Sequence, residues 1–154
     1  MRRHAALLFP CLLVALLAAC GSGGVSSGAT VTTYVTAPLC AGARQALAEA
    51  GGRADSVHVR AVCLPSDRHG AELDLATVGA NARQATEDSA AIAYLEAPEP
   101  RAARFTHPIL ESADLGWTSS SSGVTAMHRV LHAVSESSAS SLRDGVRESL
   151  DGGA

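Results

Sequence analysis

No lysine occurs among the 154 residues; all 12 basic side chains are arginines, against 15 acids, for a formal charge of −3. A nucleic-acid-binding surface needs clustered cations to neutralise phosphates, and a chain with so few excludes that class of partner. Aromatic rings are scarce as well: Phe9, Tyr34, Tyr94, Phe105 and Trp117 make up 3% of the chain. A core built without rings must be filled by alanine and small aliphatic residues, which lets helices approach closely but buries little area per residue. Several catalytic signatures are missing too. There is no Walker loop, no dinucleotide glycine fingerprint and no GxSxG nucleophile elbow, and Ser119–Gly123 (SSSSG) does not supply one. His128 and His132 stand one helical turn apart, a spacing able to hold a metal. No acid completes an HExxH pattern and no further ligand is placed beside them, so they read as solvated side chains. The expectation is a non-enzymatic protein with no cofactor and no metal.

One long hydrophobic run is present. Arg2, Arg3 and His4 precede an uncharged stretch from Ala5 to Ala19 that carries seven of its residues as Leu or Val. It falls short of the ~20 apolar residues a spanning helix needs, and it has the design of a signal peptide. Its end, Leu17-Ala18-Ala19-Cys20, resembles the bacterial lipobox, in which an aliphatic residue and two small residues precede a cysteine that is lipidated before cleavage. Residues 1–19 are therefore expected to be removed. Cys20 would then hold the chain to the cell membrane from outside the cytoplasm. No second run of this hydrophobicity follows. Gly21–Gly28 (GSGGVSSG) has almost nothing to bury, so residues 20–28 read as a flexible tether and 29–150 as one folded domain. Arg2 and Arg3 leave with the signal, so ten arginines face the 15 acids of the mature chain, a net −5.

Beyond the tether, β-type and helical patterns alternate. Ala29–Thr36 (ATVTTYVT) is rich in β-branched residues and reads as a first strand. Pro38 opens a helix whose apolar face is Leu39, Ala43, Ala46, Leu47 and Ala50, and Gly51-Gly52 closes it. Val57–Leu64 is a second strand, followed by a polar loop from Pro65 to Gly70. Leu75, Val78, Ala82 and Ala85 mark the next helix, ending at Glu87-Asp88-Ser89. Ala90–Leu95 (AAIAYL) is nearly all apolar, as expected of a strand buried on both faces. A helix over 101–113 carries Ala102, Phe105, Ile109 and Ala113 on one face, and Pro108 is expected to kink or restart it. Leu115–Thr118 is a short fourth strand. Helical patterns return at 124–132 and 142–150, separated by the serines between 135 and 141. This order specifies an α/β fold: an open parallel sheet with helices on both faces, three layers deep.

That architecture bears on the cysteines. Cys11 leaves with the signal and Cys20 is committed to lipid, which leaves Cys40 and Cys63 in an oxidising compartment. Sequential β-α-β units usually pair their strands, so the turn after the first strand and the end of the second should meet at the carboxyl edge of the sheet. Cys40 and Cys63 are therefore expected to form a disulfide.

Residues 74–123 (DLATVGANARQATEDSAAIAYLEAPEPRAARFTHPILESADLGWTSSSSG) resemble the first lobe of type I periplasmic binding proteins of the leucine/isoleucine/valine-binding kind. The likeness lies in an alanine-rich helix with an acidic end, then the strand Ala91–Leu95. The helix segment Pro108–Ala113 and a strand ending in serines complete it. The Ala37-Pro38 turn fits the family's opening segment loosely, and the likeness extends over about 29–132, one lobe where the family has two. It implies a single solute-binding-type lobe related to amino-acid ABC transport, with a small polar solute as ligand. An ABC permease, or a second lobe supplied in trans, would be its partner. It also places ligand contacts in the third and fourth strand-end loops: Glu96 or Glu99 to receive an ammonium group, and Ser119, Ser120, Ser121 and Ser122 to donate to a carboxylate. Serines in such a loop serve equally as a turn and helix cap. The alternative function is a lipoprotein interaction module that docks another envelope protein and binds no solute.

Overall fold

The computed structural model describes residues 28–137 and 142–151. The expected signal peptide, Cys20 and the expected tether up to Ser27 lie outside the described residues. The fold is α/β, and its main sheet has five strands in the order β2-β3-β1-β6-β7. The parallel strands are β1 (Thr30–Val35), β3 (Val57–Cys63), β6 (Ala91–Glu96) and β7 (Gly116–Ser119). These correspond to the four strands expected from sequence. An unexpected two-residue strand, β2 (Arg53–Ala54), pairs antiparallel with β3 and makes the sheet mixed at that edge.

Helices cover both faces. On one face lie α1 (Cys40–Glu49), α4 (Gly123–Glu136) and α5 (Leu142–Asp151). They share a core with Val31, Val35, Ala93 and Leu95 of the sheet. On the other face α2 (Leu75–Glu87) and α3 (Pro100–Glu111) pack against Tyr34, Leu64, Tyr94 and Leu115. All six residues of β6 are buried, as the apolar run Ala91–Leu95 implies for the first five; the sixth is Glu96. The helix ends follow local chemistry. Asp74 caps α2, accepting from the amide of Ala76 at 3.0 Å and the hydroxyl of Thr77 at 2.7 Å. The Thr77 hydroxyl, with the capping amides, holds the Asp74 carboxyl below its ordinary value. That contribution to stability is present above the unfolded value and is lost as pH falls through the folded one. Gly51 and Gly52, at φ +65° and +70°, end α1 as expected, and the Gly52 amide donates back to Leu47 O at 2.9 Å.

One expectation for α3 is narrowed and another is corrected. The helix continues through Pro108 without a restart. The proline removes one i→i−4 hydrogen bond, that to the Arg104 carbonyl, and only three residues of helix follow it. Its buried face is Ala102, Thr106 and Leu110, while Phe105 is 48% exposed. The helix is turned from the aromatic face toward the polar one because Thr106 has a buried partner, described below.

Two further features shape the first face. Arg143 donates to Ala91 O from Nε at 3.0 Å and Nη2 at 2.7 Å, which fastens α5 to the amino end of β6. Thr33, fully buried between Val31 and Val35 on the central strand, has a hydroxyl without a hydrogen-bond partner among the described residues. An unpaired buried hydroxyl costs on the order of 1–3 kcal/mol, so Thr33→Val is expected to raise stability by about 1 kcal/mol. Thermal melts of the two proteins check this, and an unchanged or lower midpoint would show that the hydroxyl is satisfied.

Candidate functional site

In an open α/β sheet the natural binding crevice lies beyond the carboxyl ends of the strands, where the strand order reverses. Here the chain passes from β1 to β3 on one side and returns to β6 on the other, so that point falls between β1 and β6. Thr36, Pro38, Asp67, Tyr94, Glu96 and Thr106 line a crevice there of only about 50 Å³. That is room for a few waters, against roughly 300–1,000 Å³ for ordinary small-molecule sites.

The crevice is small because the polar loop expected after the second strand folds over it. Its residues form a hairpin, β4 (Arg68–His69) and β5 (Glu72–Leu73), around Gly70 at φ +63°. Glycine at the first of two turn positions suits the type II′ geometry that matches the twist of the flanking strands. Arg68 Nη2 reaches Glu99 Oε2 at 2.7 Å, tying the hairpin to the loop after β6. Asn81 of α2 donates to Pro65 O at 3.1 Å from beneath.

The acids named from the sequence are both engaged. Glu99 caps α3, accepting from the Arg101 amide at 3.2 Å, in addition to its pair with Arg68. Glu96 is 4% exposed. It accepts from the Thr106 hydroxyl at 3.0 Å and meets His107 Nε2 at 2.5 Å. The His107 ring in turn stacks on Trp117 of β7, with centroids 3.5 Å apart and planes 24° from parallel. Thr106, His107 and Trp117 were not singled out as site residues from sequence. Their only signal is a Thr-His pair on the helix that follows a strand-terminal glutamate, and that pair does not show which face the helix presents.

The serines behave as a turn and a cap. Ser122 is the N-cap of α4 and accepts from the Thr125 amide at 3.3 Å. The Ser120 hydroxyl accepts from the Ser122 amide at 3.2 Å and donates to Ser122 O at 3.0 Å. Ser119, paired with Glu96 in the β6–β7 register, and Ser121 are exposed. His128 and His132 are exposed on α4, and His132 Nδ1 lies 3.2 Å from Glu136 Oε2. Cys40, in the first turn of α1, and Cys63, at the end of β3, have Cα atoms 5.6 Å apart and sulfurs at bonding distance.

The buried Glu96 cluster invites a direct test. His107→Ala would strip a buried carboxyl of one of its two side-chain partners, at a cost of about 1–3 kcal/mol. His107→Ala combined with Glu96→Leu should recover much of that loss, because the carboxylate that lost its partner is gone and the Thr106 hydroxyl keeps Ala102 O at 3.4 Å as an acceptor. Denaturant unfolding of the three proteins distinguishes this from simple loss of packing, which the double change would deepen.

These features define a three-layer α/β lobe with a filled carboxyl-edge crevice. No protein-family model, curated protein or solved structure matches the chain. No helix among the described residues is long and apolar enough to cross a membrane.

Proposed function

We propose that the chain is a lipid-anchored, extracytoplasmic domain built on a solute-binding-type lobe, acting as a non-catalytic docking module for another envelope protein. The observation that supports this reading is the 50 Å³ crevice at the strand-order reversal. Its two glutamates are bonded to Arg68, Thr106 and His107 and are not left open to a solute. Isothermal calorimetry of the full chain with pooled amino acids should give millimolar or undetectable affinity. Micromolar binding that Ser120→Ala or Ser121→Ala abolishes would overturn the docking reading in favour of solute capture.

One observation favours that second reading, a solute-binding component of amino-acid ABC transport. The Arg68–Glu99 pair that closes the hairpin is at the surface, with side chains 42% and 26% exposed. Exposed pairs contribute only ~0–1 kcal/mol, so a ligand could displace this one. If the crevice is a solute site closed by its own hairpin, Arg68→Ala should tighten binding of an amino acid; if the domain only docks, it should change nothing.

The membrane part of the proposal rests on Leu17-Ala18-Ala19-Cys20. Cys20→Ala should move the protein from the detergent phase to the aqueous phase in a Triton X-114 partition, or block its processing. A wild-type protein that already partitions as soluble, with Cys20 unmodified by mass spectrometry, would remove the anchor.

A further inference from the structure

In the space left at the strand-order reversal, two polar groups have no partner. Tyr94 of β6 is 1% exposed and lines the crevice, and its hydroxyl makes no hydrogen bond among the described residues. Asp67 lines the same space, and its carboxylate has neither a donor nor an ion-pair partner among the described residues. The other charges there are matched: Arg68 pairs with Glu99, and Glu96 is held by Thr106 and His107. A buried tyrosine hydroxyl ordinarily finds a partner, so one left without it points to a group that the chain itself does not supply. Burial first, and then the charges of Glu96 and Asp67, push the Tyr94 phenol well above its ordinary value. The phenol is therefore neutral, and both carboxylates lie within electrostatic reach of it.

Size and charge select the missing group. About 50 Å³ is too little for a free amino acid but admits one ammonium head and its neighbouring methylene. An ammonium is a compact cation with three donors, which suits one phenol oxygen and the two oxygens of an unpaired carboxylate. The planar guanidinium fork is wider and needs more acceptors. Pro38 and Pro98, both exposed, line the crevice at the surface and offer apolar flanks for a methylene stem. The chain contains no lysine, so a second copy cannot provide this group. We propose that the crevice is a lysine-recognition subsite, in which a lysine projecting from the docked partner protein sets its ammonium between Asp67 and Tyr94. The inference rests on the docking reading and names the chemistry of the partner at this surface.

Nuclear magnetic resonance of the full chain in detergent micelles tests it, with Nα-acetyl-lysine methylamide as the probe. That compound carries the lysine side chain and lacks the charged ends of a free amino acid. Saturable shifts are expected at amides around the crevice, with a dissociation constant of about 1–10 mM. Asp67→Asn should weaken binding about tenfold or more and Tyr94→Phe about fivefold. Neither side chain is bonded within the chain, so both variants should melt with the wild type. A lower midpoint for Tyr94→Phe would show that the hydroxyl is satisfied inside the fold and would overturn the proposal. So would an absence of saturable shifts, binding indifferent to both substitutions, or equal shifts from sodium chloride or the Nε-acetylated probe. Failure of the blocked lysine alone leaves the docking reading standing. Micromolar binding of a free amino acid in the same titration would remove that reading and the lysine subsite with it.

Discussion

Gly123→Ala and Gly79→Ala are expected to change stability in opposite directions, although both place a methyl group on a helix. An alanine side chain favours a helix interior by ~0.5–1 kcal/mol over glycine. At Gly79, inside α2, the new Cβ would meet only the movable end of Arg83, with Nη1 at 3.4 Å. Propensity should prevail there, and Gly79→Ala should stabilise by about 0.5–1 kcal/mol. At Gly123, the first residue of α4, the Cβ would fall on the carbonyl oxygen of Leu39 and lie 2.8 Å from the amide of Ala43. Those are backbone atoms and cannot rotate away. The α1–α4 crossing is tight on both sides, since a Cβ on Gly42 would come within 3.0 Å of the Val124 amide. Ala43, Ala46, Ala126 and Val130 complete the contact. Gly123→Ala should therefore force the two helices apart and cost about 3 kcal/mol or more, a large fraction of the 5–15 kcal/mol typical of a domain. Chemical denaturation of both variants measures the two signs. A Gly123→Ala protein as stable as wild type would mean that α1 and α4 do not meet here.

Breaking the Cys40–Cys63 pair should have the next largest effect. The two residues are 23 apart in sequence. Cross-linking a loop of that length removes denatured-state entropy worth roughly 3 kcal/mol. The parallel β1–β3 register sets Val35 beside Cys63, and the short turn after β1 brings Cys40 back to the same edge. The bridge thus joins elements that the sheet has already aligned. Cys40→Ser with Cys63→Ser is expected to lower the melting midpoint by about 10 °C for a domain of this size. Adding reductant should do the same to the wild type and nothing to the double variant. Alkylation before reduction gives an independent check, because free Cys40 and Cys63 thiols in the folded protein would exclude the bridge.

The sequence made the order of elements legible wherever burial is periodic. The run Ala91–Leu95 announces a central strand because it is apolar on both faces. Leu39, Ala43 and Ala46 announce the buried face of α1 at helical spacing, and all three are buried. Where an element's residues do not alternate in polarity, that signal fails. The β4–β5 hairpin consists of two-residue strands that are polar and mostly exposed, so only the glycine at its turn could betray it. On α3, Phe105 is the most hydrophobic feature in the sequence, and it drew the expected face toward itself. The structure turns Thr106 inward because Glu96, ten residues earlier, is buried and needs a donor.

The sequence by itself determined the α/β class, the four parallel strands, the helices between them and the neighbourhood of Cys40 and Cys63. Each of these follows from hydrophobic periodicity, turn residues and the rule that successive β-α-β units pack together, all of which act over short stretches of chain. Only the tertiary structure decided that the crevice at the strand-order reversal is filled. The contacts that close it join separate elements along the chain: Arg68 of the hairpin with Glu99 after β6, and Asn81 of α2 with Pro65 after β3. Such contacts depend on which faces the sheet brings together, and a carboxylate that looks available along the chain becomes a buried structural acceptor once a neighbouring helix supplies its partners.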